Sequence, residues 1–327
     1  MRKLTLFLTT GLLFSLSCNK SARPDDENAQ AEEPAAINQR SCASNDVLLE
    51  QLRADPSLQR RMDDIESFTR RMTDNPAEAA RLLPGGIIEI PVVVNVLYRT
   101  AAENISQAQI QSQIDVLNED YGATNTDYNN TPALFQSVRS GNVNVRFVLD
   151  QVIRKSTTKK SWGTNDAMKK TSGGGLAPTS PTTKLNLWSC NLGGGILGYA
   201  QFPGGSSATD GVVIDNNAFG RTGTVTAPYN KGRTATHEVG HWMNLRHIWG
   251  DANCGNDLVG DTPQANAANF GCPAYPHLST CTGKPVEMTM NYMDYTDDAC
   301  MYMFSAGQKT RMLAVFASGG PRAAFAQ

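Results

Sequence analysis

Hydrophobic positions along the chain fall into a few distinct patterns. An apolar run from Leu4 to Leu16 follows Arg2 and Lys3 and closes in Ser-Leu-Ser-Cys at 15–18. It is too short to cross a bilayer and has the charged start and apolar middle of a signal peptide, assigned here to residues 1–17. From Asn19 to Pro34 the chain is rich in Asp, Glu, Ala and Pro, a composition that buries too little apolar surface to fold and reads as a tether. Helical spacing returns over 46–83, with Val47, Leu48, Leu52, Leu58, Met62, Ile65 and Phe68 set among charges.

Ile88 to Tyr98 then has the β-branched density of a buried strand. A helix is predicted next. Ser106 and Gln109 form a capping box, Ile105 and Ile110 a staple, Ile110, Ile114, Leu117 and Tyr121 one apolar face, and Gly122 the stop. Val143, Val145, Phe147 and Leu149 alternate with polar residues as in a half-buried strand, and Leu185–Cys190 and Gly211–Ile214 read as further strands. Gly193-Gly194-Gly195 leads into Ile196–Phe202, Arg233–Met243 reads as a helix, and Ser305–Ser318 as a last one with Ser305 and Gln308 as its capping box. The Gly run lacks the Lys-Ser/Thr that a phosphate loop needs.

Composition narrows the class. With 40% hydrophobic residues, 18% charge and a net charge of −2, nothing marks a nucleic-acid partner or a polybasic membrane surface. The 327 residues allow one sizeable domain with appendages.

Three of the four histidines lie in one window, His237-Glu238-Val239-Gly240-His241-Trp242-Met243-Asn244-Leu245-Arg246-His247. On a helix His237 and His241 stand one turn apart on one face, so both imidazoles reach one zinc ion at about 2.0–2.1 Å. His247 joins them only if the helix ends after His241, and Asn244 is the predicted hinge because Asn tolerates a left-handed backbone. Three protein ligands and an open position are what a catalytic zinc requires. Glu238, beside the metal, is positioned as the general base of a hydrolase. His277, without such neighbours, reads as loop structure.

The window resembles the extended zinc motif of the metzincin metallopeptidases, with Asn244 where that motif carries Gly. Arg246-His247-Ile248-Trp249-Gly250-Asp251 resembles the pappalysin family in particular, including its short ulilysin-like microbial members. Asn291-Tyr292-Met293-Asp294-Tyr295 resembles the methionine-bearing turn beneath the metal. The resemblance, over about residues 88–312, implies an α/β (α+β) catalytic domain. Its parts are a twisted mixed sheet with a backing helix and an active-site helix, then a loop-rich, disulfide-stapled C-terminal subdomain. It further implies that Met293 floors the site, that Tyr295 hydrogen-bonds the developing oxyanion, and that Ile196–Phe202 is the edge strand on which protein or peptide substrates add a strand. The chain then divides into a signal peptide (1–17), a tether (18–45), a helical pro-segment (46–86) and the protease domain (87–327), together an exported zymogen.

Further expectations attach to single residues. Cys18 fits a bacterial lipoprotein site, the membrane being reached through that lipid alone, with ordinary secretion as the alternative. Cys42 is either a thiolate that fills the open zinc position as a latency switch or a thiol without a role. Cys254, Cys272, Cys281 and Cys300 allow three pairings, and a four-thiolate zinc site is the alternative; the resemblance favours Cys254 with Cys281 and Cys272 with Cys300. Cys190 reads as a small buried hydrophobe. Asp257, Asp261 and Thr262 are candidate calcium ligands by resemblance, against a solvated acidic turn. Asp298 matches a position in the pocket for the residue after the scissile bond, where an acid prefers Lys or Arg, against a surface loop aspartate. If so, Arg60, Arg61, Arg70, Arg71 and Arg81 are candidate self-processing sites. Two other readings are a zinc peptidase with Glu287 as third ligand and a metal-containing surface module without turnover.

Overall fold

The computed structural model describes residues 39–326, so the signal peptide, Cys18 and the tether up to residue 38 lie outside the described residues. The chain opens with three helices, α1 (Ser44–Ala54), α2 (Ser57–Asp74) and α3 (Pro76–Leu82). The following elements are β1 (Ile88–Tyr98), α4 (Gln107–Tyr121), β2 (Val145–Ser156), β3 (Leu185–Cys190), β4 (Gly198–Ala200), β5 (Val212–Asp215), α5 (Arg233–Trp242) and α6 (Ala306–Ala314). No helix among the described residues is long and apolar enough to cross a membrane.

The five strands form one mixed sheet in the order β2-β1-β3-β5-β4. All neighbours are parallel except β4, which runs antiparallel to β5 at one edge. β1 sits inside the sheet and is buried on both faces, which is why its sequence is a continuous apolar run rather than an alternation. Ile90, Val92 and Val94 pack with Ile110, Ile114 and Leu117 of α4 and Val239 and Trp242 of α5. The other face, with Leu97, Trp188 and Val213, is covered by Trp162 and Met168 from the loop after β2.

Two sequence expectations need correction. The Ser106 hydroxyl does accept from Gln109 N–H at 3.1 Å, but the Gln109 side chain turns inward to the carbonyls of Asn216 and Phe219, so the capping box is half made. Buried carbonyls of the loop after β5 compete for that amide and win. The strand expected over 143–149 also continues to Ser156, because β2 pairs with β1 along an exposed edge where no alternation is imposed. The predicted capping box of α6, Ser305 with Gln308, is complete.

After α5 the chain has no long element until α6. Two disulfides, Cys254–Cys281 and Cys272–Cys300, staple this stretch. They adopt the pairing the resemblance favoured, and the four-thiolate alternative falls. Cys190 is unpaired and fully buried among apolar side chains.

Candidate active site

α5 carries the site into the core. Every residue of this helix is buried, and its left-handed continuation at Asn244 (φ 73°) turns the chain back after one and a half turns past His237. Leu245 N–H bonds to Gly240 O and Asn244 N–H to His241 O, the paired bonds of a Schellman stop. That stop brings His247 to the other two rings. His241 Nε2 lies 3.1 Å from both His237 Nε2 and His247 Nε2.

The outer ring nitrogens are all committed elsewhere. His237 Nδ1 donates to Tyr292 O at 2.6 Å, His241 Nδ1 to Leu245 O at 2.8 Å, and His247 Nδ1 to Asp251 Oδ1 at 2.5 Å. Each bond fixes one tautomer and leaves Nε2 with its lone pair facing the shared centre, the usual arrangement around a metal. Burial, with the neighbouring rings adding to it, holds His237 well below the ordinary imidazole range and His241 at about 3, so both stay neutral and able to bind a cation. Nitrogens at about 2.0–2.1 Å from one tetrahedral zinc stand roughly 3.3 Å apart, so the observed cluster fits that ion.

Glu238 supplies a second sign of an absent partner. It is fully buried, yet its Oε1 has no hydrogen-bond partner among the described residues. A lone carboxylate oxygen in such a place is costly unless something polar meets it. Its Oε2 accepts from Ser44 Oγ at 2.8 Å and Cys42 Sγ at 3.2 Å, and burial raises the carboxyl to about 7 despite those bonds.

Two glycines show how tightly the parts are set. A Cβ on Gly240 would stand 2.5 Å from Met293 Sδ, so the zinc-motif helix lies directly on the methionine, which is fully buried beneath it. A Cβ on Gly198, in β4, would meet Glu238 Cγ at 2.9 Å, so the edge strand lies directly over that carboxylate. Asp120 of α4 braces the same region, accepting from Thr236 Oγ1 at 2.7 Å and Tyr292 Oη at 2.8 Å. Tyr295 places its ring 4.9 Å from that of His247 and donates its hydroxyl to the carbonyl of Cys42 at 3.1 Å.

Cys42 reaches the site from the other end of the sequence. Its Sγ and one nitrogen of each of His237, His241 and His247 all lie within 4.8 Å of one another. Residues 41–43 run parallel to β4 as an added strand: Leu197 N–H bonds to Ser41 O at 2.9 Å and Ala43 N–H to Gly198 O at 3.1 Å. Residues 40–44, assigned to the tether expected over 18–45, are thus packed in the cleft.

Arg40 leads that strand into a pocket floored by Asp298. The aspartate is fully buried, so the surface-loop alternative falls. Its Oδ1 accepts from Arg40 at 2.5 Å and its Oδ2 from Lys231 N–H at 2.8 Å. Thr234 Oγ1 and Thr296 O accept from two further Arg40 nitrogens at 3.1 and 3.2 Å, and the guanidinium lies 5.0 Å from the Tyr229 ring. Sequence reasoning missed Arg40, Ser44, Thr234 and Tyr229. Cys42 marked the neighbourhood of Arg40 and Ser44, and the predicted helix Arg233–Met243 that of Thr234.

The other predicted residues lie outside this cluster. Glu287 is buried but accepts from Asn266 N–H and Asn269 Nδ2, so it is not brought to the histidines, and half-exposed His277 sits 3.9 Å from it. Asp261 accepts from Ser305 Oγ at 2.6 Å and Gly307 N–H at 2.8 Å, where it caps α6. Asp257 accepts from Thr262 Oγ1 at 2.7 Å and Val259 N–H at 3.1 Å. A calcium ion there would share these oxygens with the protein's own donors.

The chain is similar to known proteins over this region. Residues 193–317 match the peptidase M43 family described as pregnancy-associated plasma protein-A. An extracellular metalloprotease of Verticillium alfalfae is 33% identical over 237 residues, 68% of this chain and 77% of the relative. One from Colletotrichum graminicola is 32% identical over 305 residues, 87% and 93% of the two chains. Among solved structures, mature mirolysin of Tannerella forsythia with a cleaved peptide is 45% identical at a TM-score of 0.72, covering 74% of this chain and 97% of its own. A promirolysin mutant is 42% identical at a TM-score of 0.79, covering 88% and 97%. With its three imidazoles converging over a buried methionine, the chain belongs to the pappalysin, or M43, family of metzincins and is a metalloendopeptidase.

Proposed function

We propose that this chain is the latent form of an exported zinc endopeptidase that cuts peptide bonds ahead of Arg or Lys, with a pro-segment that includes Arg40 and Cys42 and ends at residue 86. The observation that carries the specificity is Arg40, whose guanidinium is held by buried Asp298, Thr234 Oγ1 and the Thr296 carbonyl. A planar fork matched at several donors favours Arg over Lys. Latency is supported by Cys42, whose thiol stands as a fourth donor beside the three imidazoles, and by Ser44, which holds Glu238. The mature and latent mirolysin structures cover 74% and 88% of this chain, a difference about as long as residues 39–86.

When bound, zinc supplies a Lewis acid for the scissile carbonyl and lowers the pKa of water. His237, His241 and His247 hold it through their Nε2 atoms. Once the segment leaves, β4 offers its free edge to an extended peptide, and the bare Gly198 lets that peptide's backbone approach Glu238. Glu238, freed of Ser44 and Cys42, takes a proton from the attacking water and returns it to the departing amine. Tyr295, which already donates to a peptide carbonyl, donates to the oxygen of the bond being cut.

A peptide library digested with the processed chain, read by mass spectrometry, tests the reading. Cuts should fall before Arg and Lys, with that preference lost in Asp298→Asn and turnover lowered at least about a hundredfold in Glu238→Ala with zinc retained. Indifference to the residue after the cut rejects the pocket assignment. Export is supported by relatives named as extracellular. Lipid anchoring rests on the Cys18 pattern alone; fatty-acid labelling that survives in Cys18→Ala excludes it.

A further inference from the structure

The pro-segment covers more of the cleft than the Arg40 pocket. From Asp298 it passes the histidines at Cys42 and continues on their far side as α1 and α2. Since the Asp298 pocket takes the residue after the scissile bond, the far side is where residues before that bond must lie. The part of the α1 and α2 footprint that adjoins His241 and the Asn244 hinge is therefore ground open to substrate once they leave.

That ground has two parts. Next to the metal centre is Phe202, whose ring lies 5.3 Å from that of His241 and is covered by Leu48 and Leu58. Beyond it lies a basic edge. Arg311 is almost fully buried; its Nε donates to Asn244 O at 2.8 Å, which fixes the guanidinium on the hinge of α5. Both of its terminal nitrogens point to the carboxylate of Glu66 on α2, one of them at 3.1 Å. Arg246 lines the same groove with Pro203 and Asn244. Removing α2 strips the carboxylate from a guanidinium that is already oriented, leaving a two-donor fork open beside the Asn244 hinge.

We infer that the mature enzyme recognises an acidic side chain on the N-terminal side of the scissile bond, through the Arg311 fork that Glu66 fills in the latent chain and with Arg246 adding positive charge. This inference rests on the basic-pocket reading above. A preferred substrate then carries a carboxylate before the cut and Arg or Lys after it. The same pairing lets Glu66 act as a substrate mimic.

Fluorogenic peptides test this. Each carries Arg directly after the cut, with Glu, Gln or Lys placed in turn at the second to fifth positions before it, and is assayed with the full chain after self-processing or limited trypsin treatment. At one position Glu should raise kcat/KM about tenfold over Gln, and Lys should lower it. The Glu preference should shrink in Arg311→Gln and in Arg246→Gln, and in the unmodified enzyme as ionic strength rises. The salt series keeps the test decisive if Arg311→Gln fails to fold. Equal cleavage of Glu and Gln peptides at every position, or a preference untouched by both variants and by salt, overturns the inference alone. Failure to cut any Arg peptide removes the pocket reading and this inference with it.

Discussion

At the scale of single residues, the site joins three histidines that are close in sequence to a buried ion pair whose partners are not. His237, His241 and His247 lie within eleven residues, so local helix geometry and one hinge suffice to predict their convergence. Arg40 and Asp298 are separated by 258 positions, and only the folded chain brings them together. Burial likewise cannot be read one residue at a time: Asp294, in a turn-like acidic stretch, is fully enclosed. Enclosure raises its carboxyl to about 7, although Asn269 donates to it and Glu287 nearby adds to the rise. The folded state therefore binds this proton more tightly than the unfolded chain, where an aspartate titrates near 4. Stability from Asp294 is full below that ordinary value and is lost as pH rises through about 7. In Asp294→Asn the loss is absent, so the melting temperature of the variant should climb relative to the parent between about pH 4 and 7. A constant difference across that range would mean the carboxyl is not carrying the effect.

Among the elements, those with a strong local code came through best. α6 was marked by its capping box, and β1 by a run of β-branched residues long enough to show burial on both faces. β4 is three residues long and holds no pattern of its own; its place at the sheet edge came from resemblance rather than from its letters. The end of α5 is the element-scale feature that the site depends on most, because the Asn244 turn aims His247. Asn at φ 73° is tolerable, Gly is better and Ala is strained. Asn244→Gly should leave stability within about 0.5 kcal/mol, while Asn244→Ala should cost about 1 kcal/mol and weaken zinc binding. Calorimetry with metal titration separates the two effects; an Ala variant equal to Gly in both would show that the left-handed turn is not what sets His247.

Across the whole molecule, the proposed latency turns on where the chain can be cut. Arg60, Arg61, Arg70 and Arg71 satisfy the pocket chemically, but all four lie inside α2. A cleft that binds substrate as an added strand cannot accept a helix without unfolding it, and α2 is tied down by Glu66 on Arg311. Arg81 differs, standing in the last turn of the short α3 just ahead of Leu83–Ile87. In that linker Gly85 and Gly86 have open space around them and Ile87 is largely exposed. Cleavage that activates the chain should therefore begin between Ala80 and Ile88 and leave β1 at the new amino terminus. The released segment still holds Arg40, Cys42 and Ser44, so loss of the first contact at the metal should hasten escape. N-terminal sequencing of the processed chain over time should give starts at 81–88, earlier in Cys42→Ala than in the parent. First starts within 58–74 would mean that α2 opens before the linker does, and that the helix is the weak part of the lock.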